Sequence, residues 1–531
     1  MQKSVQSLCL LLRLLVIGCA SYTLKEVGSL WAIGVVIEFI VLLLSSRVIC
    51  NRAIRSVFLL PFIFIESLQI ANIEATGLLI EPLTIINLGE ASSVGKTVIV
   101  AFLIVVTWFL LWIPDLLEKR SSQSTKRIVI ALCVLLGVVT ISYTTIGAFI
   151  NNLITAYRIV YFEPVPTDGK EFFRPYVTER KTPPVFQNQL LDFSNKNVIL
   201  IFTEGTSRRV ISKTLTPHAY QLTQEGLSVE NYFNHTAATF RGIRGQLISG
   251  YQLRGGVMNN GSGIGQTSES QILTDYQGRL ESLPEMLNQK GYNTVFLSPH
   301  PQHFALNTLM TAVGFKKVLG SQGQDRTDKE LYEQLFQEAD KLSQKKSPFF
   351  LATYVLGTHL GMDSPHLKFG SGDNAELNKY YNQDHWLGIF LEKLKQSEWG
   401  KNTLIVFTSD HSSYPSSQFK TTFSSKNPYF IDQIPLIFWY QNMQTGVLNA
   451  KGKNSLTLAP TLADLLGLRE EKNHFLGYSL FEPKEDWASH LSVFDFETYR
   501  TNQNGVEDKA LLYERVQEIH NKVEKFFSFG G

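Results

Sequence analysis

The sequence predicts two structural classes in one chain of 531 residues. A five-helix transmembrane domain covers 1–150, and an α/β domain with a central, mostly parallel sheet covers 197–531, with a linker over 151–196 between them. Three observations carry this. Before residue 150 the chain is mostly Leu, Ile, Val and Phe in long runs, and after it the composition is that of a water-soluble domain. From residue 197 short apolar runs alternate with amphipathic segments, as strands and covering helices do. The length itself exceeds that of one ordinary domain. A hydrophobic content of 44% excludes a disordered chain, and a net charge of +2 offers no basic footprint for nucleic acid.

Five stretches, at 5–23, 28–46, 56–72, 97–114 and 128–150, suffice to cross a bilayer, which takes about 20 mostly apolar residues. The first, LCLLLRLLVIGCA behind Lys3, resembles a signal peptide, but four more spans follow directly, so an uncleaved helix is expected. Arg47, Arg52 and Arg55 lie between spans two and three, and Lys119, Arg120, Lys126 and Arg127 between spans four and five. The 73–96 connection carries Glu74, Glu81 and Glu90 against Lys96. The positive-inside rule therefore puts the N-terminus inside and everything after 150 outside. Glu38 and Glu66 fall within apolar runs, where a charge is costly; each faces a neighbouring helix, lies near the interface or serves a function. Cys9, Cys19, Cys50 and Cys133 all precede residue 150, which excludes disulfides, a cysteine nucleophile and a thiolate metal site from the outer domain.

The linker is amphipathic at first and then rich in proline, with Pro164, Pro166, Pro175, Pro183 and Pro184. Beyond it NVILIF (197–202), NTVFLS (293–298), PFFLATYVL (348–356), NTLIVFTS (402–409) and IPLIFWY (434–440) read as buried strands. Residues 328–344 read as an amphipathic helix with a capping-box start at Thr327 and Glu330. The glycines of GGVMNNGSGIG (255–265) follow no dinucleotide-binding spacing and read as a loop.

Ligands of open α/β sheets bind outside the carboxyl ends of the strands. Three strands end there in groups suited to a divalent metal: Thr203-Glu204-Gly205, Asp410-His411 and Gly357-Thr358-His359. One such carboxylate alone commonly caps the next helix, but an Asp-His pair with a third ligand nearby asks for another explanation. The hydroxyl-bearing segment FNHTAATFRGIRGQLISGY (233–251) offers Thr236 and Thr239 as nucleophiles, with Arg241 and Arg244 to clamp phosphoryl oxygens. The plainer interpretation is a capped helix with two solvated arginines.

In this order the motifs resemble the alkaline-phosphatase/sulfatase superfamily, specifically lipoteichoic acid synthases and the related phosphoglycerol and phosphoethanolamine transferases. NVILIFTEG resembles the first strand with its metal-ligand glutamate, Glu204; TLIVFTSDH the strand with the metal pair Asp410 and His411; VLGTH the segment whose histidine, His359, contacts phosphate. IPLIFWY, LAPTLADLLGL and FLGYSLF resemble the segments that close the family's domain. Spacing to ISGY favours Thr239 over Thr236 as the family's threonine nucleophile, itself a metal ligand. The resemblance implies an extracytoplasmic catalytic domain on a multi-pass bacterial cytoplasmic membrane protein. It implies a divalent cation, manganese first, with zinc or magnesium also suited to such ligands. It implies transfer of a phosphoethanolamine or phosphoglycerol head group from a phospholipid to an envelope glycan or lipid, such as a teichoic-type polymer or lipopolysaccharide, through a phosphothreonine ester. Arg241, Arg244 and His359 would bind substrate. The alternative is a hydrolase of the same fold, although the Cys-x-Pro-x-Arg or Ser-x-Pro-x-Arg signature of true sulfatases is absent from 233–251. Two departures stand out. Where lipoteichoic acid synthases hold glycerol with a Trp and an Arg, this chain has PHPQHFALNT, whose His300 and His303 read as exposed loop residues or as substitute binding groups. Asp-His, usually followed by glycine, is followed here by Ser412 and Ser413.

Overall fold

The computed structural model describes residues 8–15, 17–18, 29–49, 51–86, 96–117, 144–160, 182–252, 268–278, 280–300, 304–320, 325–469, 473–484, 487–494 and 497–507. They fall into two compact units, Met1–Arg158 with Tyr414–Tyr429, and Ile159–Ser413 with Phe430–Gly531.

The first unit is helical. Helices α1 (Ser29–Val48), α2 (Arg52–Thr76), α3 (Lys96–Leu117) and α4 (Thr145–Val160) carry the second, third and fourth apolar runs and the end of the fifth. Residues 8–15 of the first run are also helical, and 128–143 of the fifth lie outside the described residues. Asn51 starts α2 by accepting from the amides of Ala53 and Ile54, and Gly77 ends it at a φ of +76°, a left-handed cap that glycine adopts without strain. Glu38, Arg13 and Asp115 find polar partners in this apolar layer, whereas neither carboxylate oxygen of the buried Glu66 has a hydrogen-bond partner. Glu38 accepts from the amides of Thr145 and Ile146 at 3.0 and 2.9 Å and from the Thr145 hydroxyl at 2.7 Å, which caps α4 with a carboxylate. Arg13 pairs with Asp115 while its guanidinium lies 4.3 Å from the Trp112 ring centre. Among the described residues one helix, Arg52–Glu74, is long and apolar enough to cross a membrane; Leu30–Leu44 and Ile104–Leu117 are shorter apolar stretches.

The second unit is built on an eight-stranded sheet: β1 (Asn197–Thr203), β2 (Leu227–Glu230), β3 (Asn293–Leu297), β4 (Lys317–Leu319), β5 (Phe349–Val355), β6 (Thr403–Ser409), β7 (Leu436–Trp439) and β8 (Gly446–Asn449). Their spatial order is β8-β2-β7-β6-β1-β5-β3-β4. Every residue of β1, β5 and β6 is buried, because helices cover both faces. Val198, Leu200 and Phe202 of β1 join one core, while Ile199 and Ile201 join the other. Helices α5 (Pro217–Glu225), α6 (Thr239–Ile248), α7 (Asp328–Ser343) and α8 (Ala375–Gln396) belong to this unit, and α7 opens with the expected Thr327–Glu330 capping box.

The sheet is mostly parallel, as expected, and is made mixed by one strand, since β7 runs antiparallel to both β6 and β2. An apolar run such as IPLIFWY has the same period in either direction, so strand polarity is set by the connection rather than by the run. Around β1 the parallel register holds, with Thr203 opposite both Val355 and Ser409. The residues that follow these three strands therefore emerge together at one edge of the sheet.

Candidate active site

Glu204, first after β1, is 2% exposed. Its carbonyl accepts from the Thr206 hydroxyl at 3.0 Å and from the Thr358 hydroxyl, which ties the end of β1 to the segment after β5. Its carboxylate divides its two oxygens. Oε2 accepts from the Thr239 hydroxyl at 2.9 Å and from the Tyr354 phenol, and Oε1 lies 3.3 Å from His411 Nε2. Asp410, fully buried after β6, accepts through Oδ1 from the amides of Gly205 and His411 at 2.8 and 2.7 Å. Its Oδ2 has no hydrogen-bond partner and stands 3.5 Å from His411 Nε2. His411 Nδ1 faces the Ser412 carbonyl at 2.8 Å, so that nitrogen carries the donated proton and Nε2 is turned to the carboxylates.

One ligand atom from each of Glu204, Asp410 and His411 lies within 4.8 Å of the others, and all three residues are buried. Two carboxylates this close repel when both are ionised. Burial and then the Glu204 charge push the Asp410 carboxyl up to about 8. Burial opposes charge on His411 as well, yet Asp410 and Glu204 outweigh it and raise the imidazole to about 9. Burial likewise works against ionising Glu204, but His411 and His359 hold its carboxyl well below the ordinary range. The residues thus fit a divalent cation: hard oxygens, one imidazole, and in Asp410 Oδ2 a buried oxygen with no hydrogen-bond partner.

Thr239 is the first residue of α6. The residue before it, Ala238, holds φ +75° and ψ 136°, a conformation costly to any residue with a Cβ and of the kind stored at functional sites. Two contacts seat α6 against the end of β6. Gln246 donates from Nε2 to the carbonyls of Ser409 and Asp410 at 2.9 and 3.1 Å, and Gly242 packs directly on the Asp410 carbonyl. Thr236, the other nucleophile candidate, points its buried hydroxyl at the Ala237 carbonyl instead. Arg241 and Arg244 share the helix but are buried, not solvated, and the Arg244 guanidinium lies 4.7 Å from the Tyr276 ring centre. Burial lowers Arg244 to about 10.

His359 is half-buried, with Nδ1 3.0 Å from the Leu360 carbonyl, and its charge helps to depress Glu204. Its segment is held from behind, because Asp328 accepts from the Gly357 amide at 3.1 Å and from Asn382 at 3.0 Å. Ser413, one of the two serines after Asp-His, knots the loop: its hydroxyl donates to the Gly205 carbonyl at 2.6 Å and accepts from the Ser207 amide at 3.0 Å. His300 is not an exposed loop residue. Its side chain is 17% exposed, pairs with Asp325 at 3.0 Å and stands 6.3 Å, ring to ring, from Tyr354. His303 and the 255–265 loop lie outside the described residues.

Tyr354, Gln246 and Asp328 were not singled out from sequence, and Ser413 only as a departure from the glycine that usually follows Asp-His. Tyr354 sits in an apolar strand where an aromatic reads as core, and Asp328 in a first helical turn where an acid is ordinary.

The Sulfatase family model matches residues 196–468, just over half of the chain, and the chain belongs to that family. Phosphoglycerol transferase I of Xanthomonas campestris pv. campestris (strain B100) is 25% identical over 305 residues, covering 51% of this chain and 41% of the relative. The match thus spans about two fifths of that relative's length. A member of the alkaline phosphatase superfamily from Vibrio parahaemolyticus superposes with a TM-score of 0.51 at 16% identity, over 71% of this chain and 96% of that one. The lipoteichoic acid synthase LtaP from Listeria monocytogenes aligns at 0.49 and 17% identity, over 66% and 95%. Sequence family, fold and buried Glu-Asp-His cluster together define a sulfatase-superfamily enzyme with an α/β domain on a mixed central sheet.

Proposed function

We propose that this chain is a membrane-anchored, divalent-cation-dependent transferase that moves a phosphoglycerol or phosphoethanolamine head group from a phospholipid to an envelope glycan or lipid. One observation carries the proposal: the Thr239 hydroxyl donates to Glu204 within the Glu204, Asp410 and His411 cluster. The phosphoglycerol transferase relative supports the transferase reading, and the apolar helices of residues 1–150 support a membrane anchor.

A cation held by Glu204, Asp410 and His411 supplies Lewis-acid polarisation of the phosphoryl group and makes a nearby hydroxyl easier to ionise. Thr239 Oγ1 forms a bond to phosphorus as the bond to the diacylglycerol oxygen breaks. That oxygen leaves as a hydroxyl, taking up a proton equivalent to the one Thr239 gives up. An acceptor hydroxyl then attacks the phosphothreonine ester and restores Thr239, a sequence that predicts ping-pong kinetics. His359 stands at the same sheet edge, where an imidazolium would balance phosphoryl charge. Arg241 and Arg244 share α6 with Thr239 and are buried, so they are assigned to supporting that helix beside the nucleophile.

The test is the mass of the Thr239 peptide after incubation with manganese and phosphatidylglycerol or phosphatidylethanolamine, without acceptor. A phosphoglycerol or phosphoethanolamine adduct absent from Thr239→Ala is expected, and its mass names the head group. The absence of both an adduct and released diacylglycerol, with either lipid, would refute the proposal and favour a hydrolase of this fold.

A further inference from the structure

The Glu204 carboxylate has a second hydroxyl on it that the proposed chemistry does not use. Tyr354 lies on β5 opposite Phe202 of β1, and Glu204 follows Phe202 by two residues, so both side chains leave the same face of the sheet. A diagonal neighbour at that offset is within reach of an aromatic side chain. The phenol spans the gap and donates to Glu204 Oε2, the same oxygen that accepts from Thr239. Tyr354 is 2% exposed, and the rest of its ring belongs to the core that holds Leu200, Phe202 and Phe350.

We propose that Tyr354 is a positioning residue: its phenol pins Oε2 of Glu204 and thereby presents Oε1 to a divalent cation beside Asp410 Oδ2 and His411 Nε2. A carboxylate left free to rotate could offer either oxygen, or both. With Oε2 held in the hydroxyl corner, only Oε1 faces His411, at 3.3 Å. The inference rests on the two-step reading above, which also shows why one hydroxyl is insufficient. Once Thr239 is esterified it has no proton to donate, and the Tyr354 phenol still holds Oε2. Groups that orient a ligand in this way typically change metal affinity 10- to 100-fold when removed.

The experiment compares the full-length wild type, Tyr354→Phe and Glu204→Gln in detergent. Manganese affinity is measured by calorimetry, melting temperature without metal, and kcat and KM by diacylglycerol release. Phenylalanine keeps the ring and its packing and removes only the donor. The expected result for Tyr354→Phe is about a tenfold loss of manganese affinity. Its metal-free melting temperature should stay close to wild type, its kcat should fall, and its KM for the lipid should stay within about twofold. Excess manganese should restore part of kcat. An affinity within twofold of wild type in Tyr354→Phe, with Glu204→Gln strongly weakened, overturns the role of Tyr354 and leaves the metal site standing. An unchanged affinity in both variants overturns the site itself and the role of Tyr354 with it. A change confined to the metal-free melting temperature makes the phenol a packing group and also overturns the proposal.

Discussion

Gly242→Ala tests how Thr239 is placed. A Cβ added at Gly242 would stand 2.3 Å from the Asp410 carbonyl oxygen and 2.8 Å from its carbon, and both atoms are backbone. Carbon–oxygen contacts settle near 3.3–3.6 Å, so α6 and the end of β6 must separate by roughly 1 Å. They cannot do so independently of the site. The same end of β6 carries Asp410 and His411, and the same helix begins at Thr239. The Gln246 bonds to Ser409 and Asp410, at 2.9 and 3.1 Å, would be stretched by the same movement, as would the 2.9 Å bond from Thr239 to Glu204. A hydrogen bond lengthened by about 1 Å is effectively lost, and a misplacement of that size costs a reaction on the order of 100-fold.

Stability moves much less. Overpacking costs about 1–3 kcal/mol, while replacing glycine by alanine inside a helix returns about 1 kcal/mol. Gly242→Ala should therefore fold, melt within several degrees of wild type, and lose on the order of 100-fold in kcat for diacylglycerol release. A variant that keeps more than a third of wild-type kcat would refute the view that the seat of α6 on the Asp410 carbonyl sets the nucleophile.

Removal of metal should be visible without turnover. A cation that binds only the folded chain at Glu204, Asp410 and His411 stabilises it by mass action, so the melting temperature should fall on chelation, and manganese at about 100 times its dissociation constant should restore about 2.7 kcal/mol; a melting temperature indifferent to both treatments would contradict the cation site. Asp328 should make stability depend on pH, because burial pushes its carboxyl up to about 6 against the hydrogen bonds from Asn382 and Gly357 that favour its charge. A native acid that holds its proton to higher pH than the unfolded one contributes fully below about pH 4, and that contribution is lost as pH rises through about 6. The melting-temperature difference between wild type and Asp328→Asn should therefore shrink, or reverse further against wild type, from pH 4 to pH 6.5; a constant difference would show that the carboxyl does not titrate there.

Much of this molecule is legible in its sequence, and the illegible parts share a physical cause. The five long apolar runs became β1, β3, β5, β6 and β7 because two-sided burial leaves little place for polar residues. LSVE, KVL and GVLN, which form β2, β4 and β8, span three or four residues, too few to show a period. They are extended because neighbouring strands pair with them. In the site the same division holds. Glu204, Asp410, His411 and Thr239 stand out because a carboxylate, an imidazole or a hydroxyl at a strand or helix end suggests its own chemistry.

The supporting residues are different, since most of them recognise backbone. Gln246 holds two carbonyls, Ser413 a carbonyl and an amide, and Asp328 the Gly357 amide, while Gly242 acts by having no side chain. Every residue offers the same amide and carbonyl, so the partner of such a contact leaves no mark in the sequence. The consequence reaches beyond these four positions. A ligand set can be read from residue types alone, but the fraction of an ångström that makes it reactive is set by contacts whose partners have no type. Substitutions behind the site, at Gly242, Gln246, Asp328 and Ser413, should thus separate binding of the cation from reactivity of Thr239. Substitutions at Glu204, Asp410 or His411 should abolish both together.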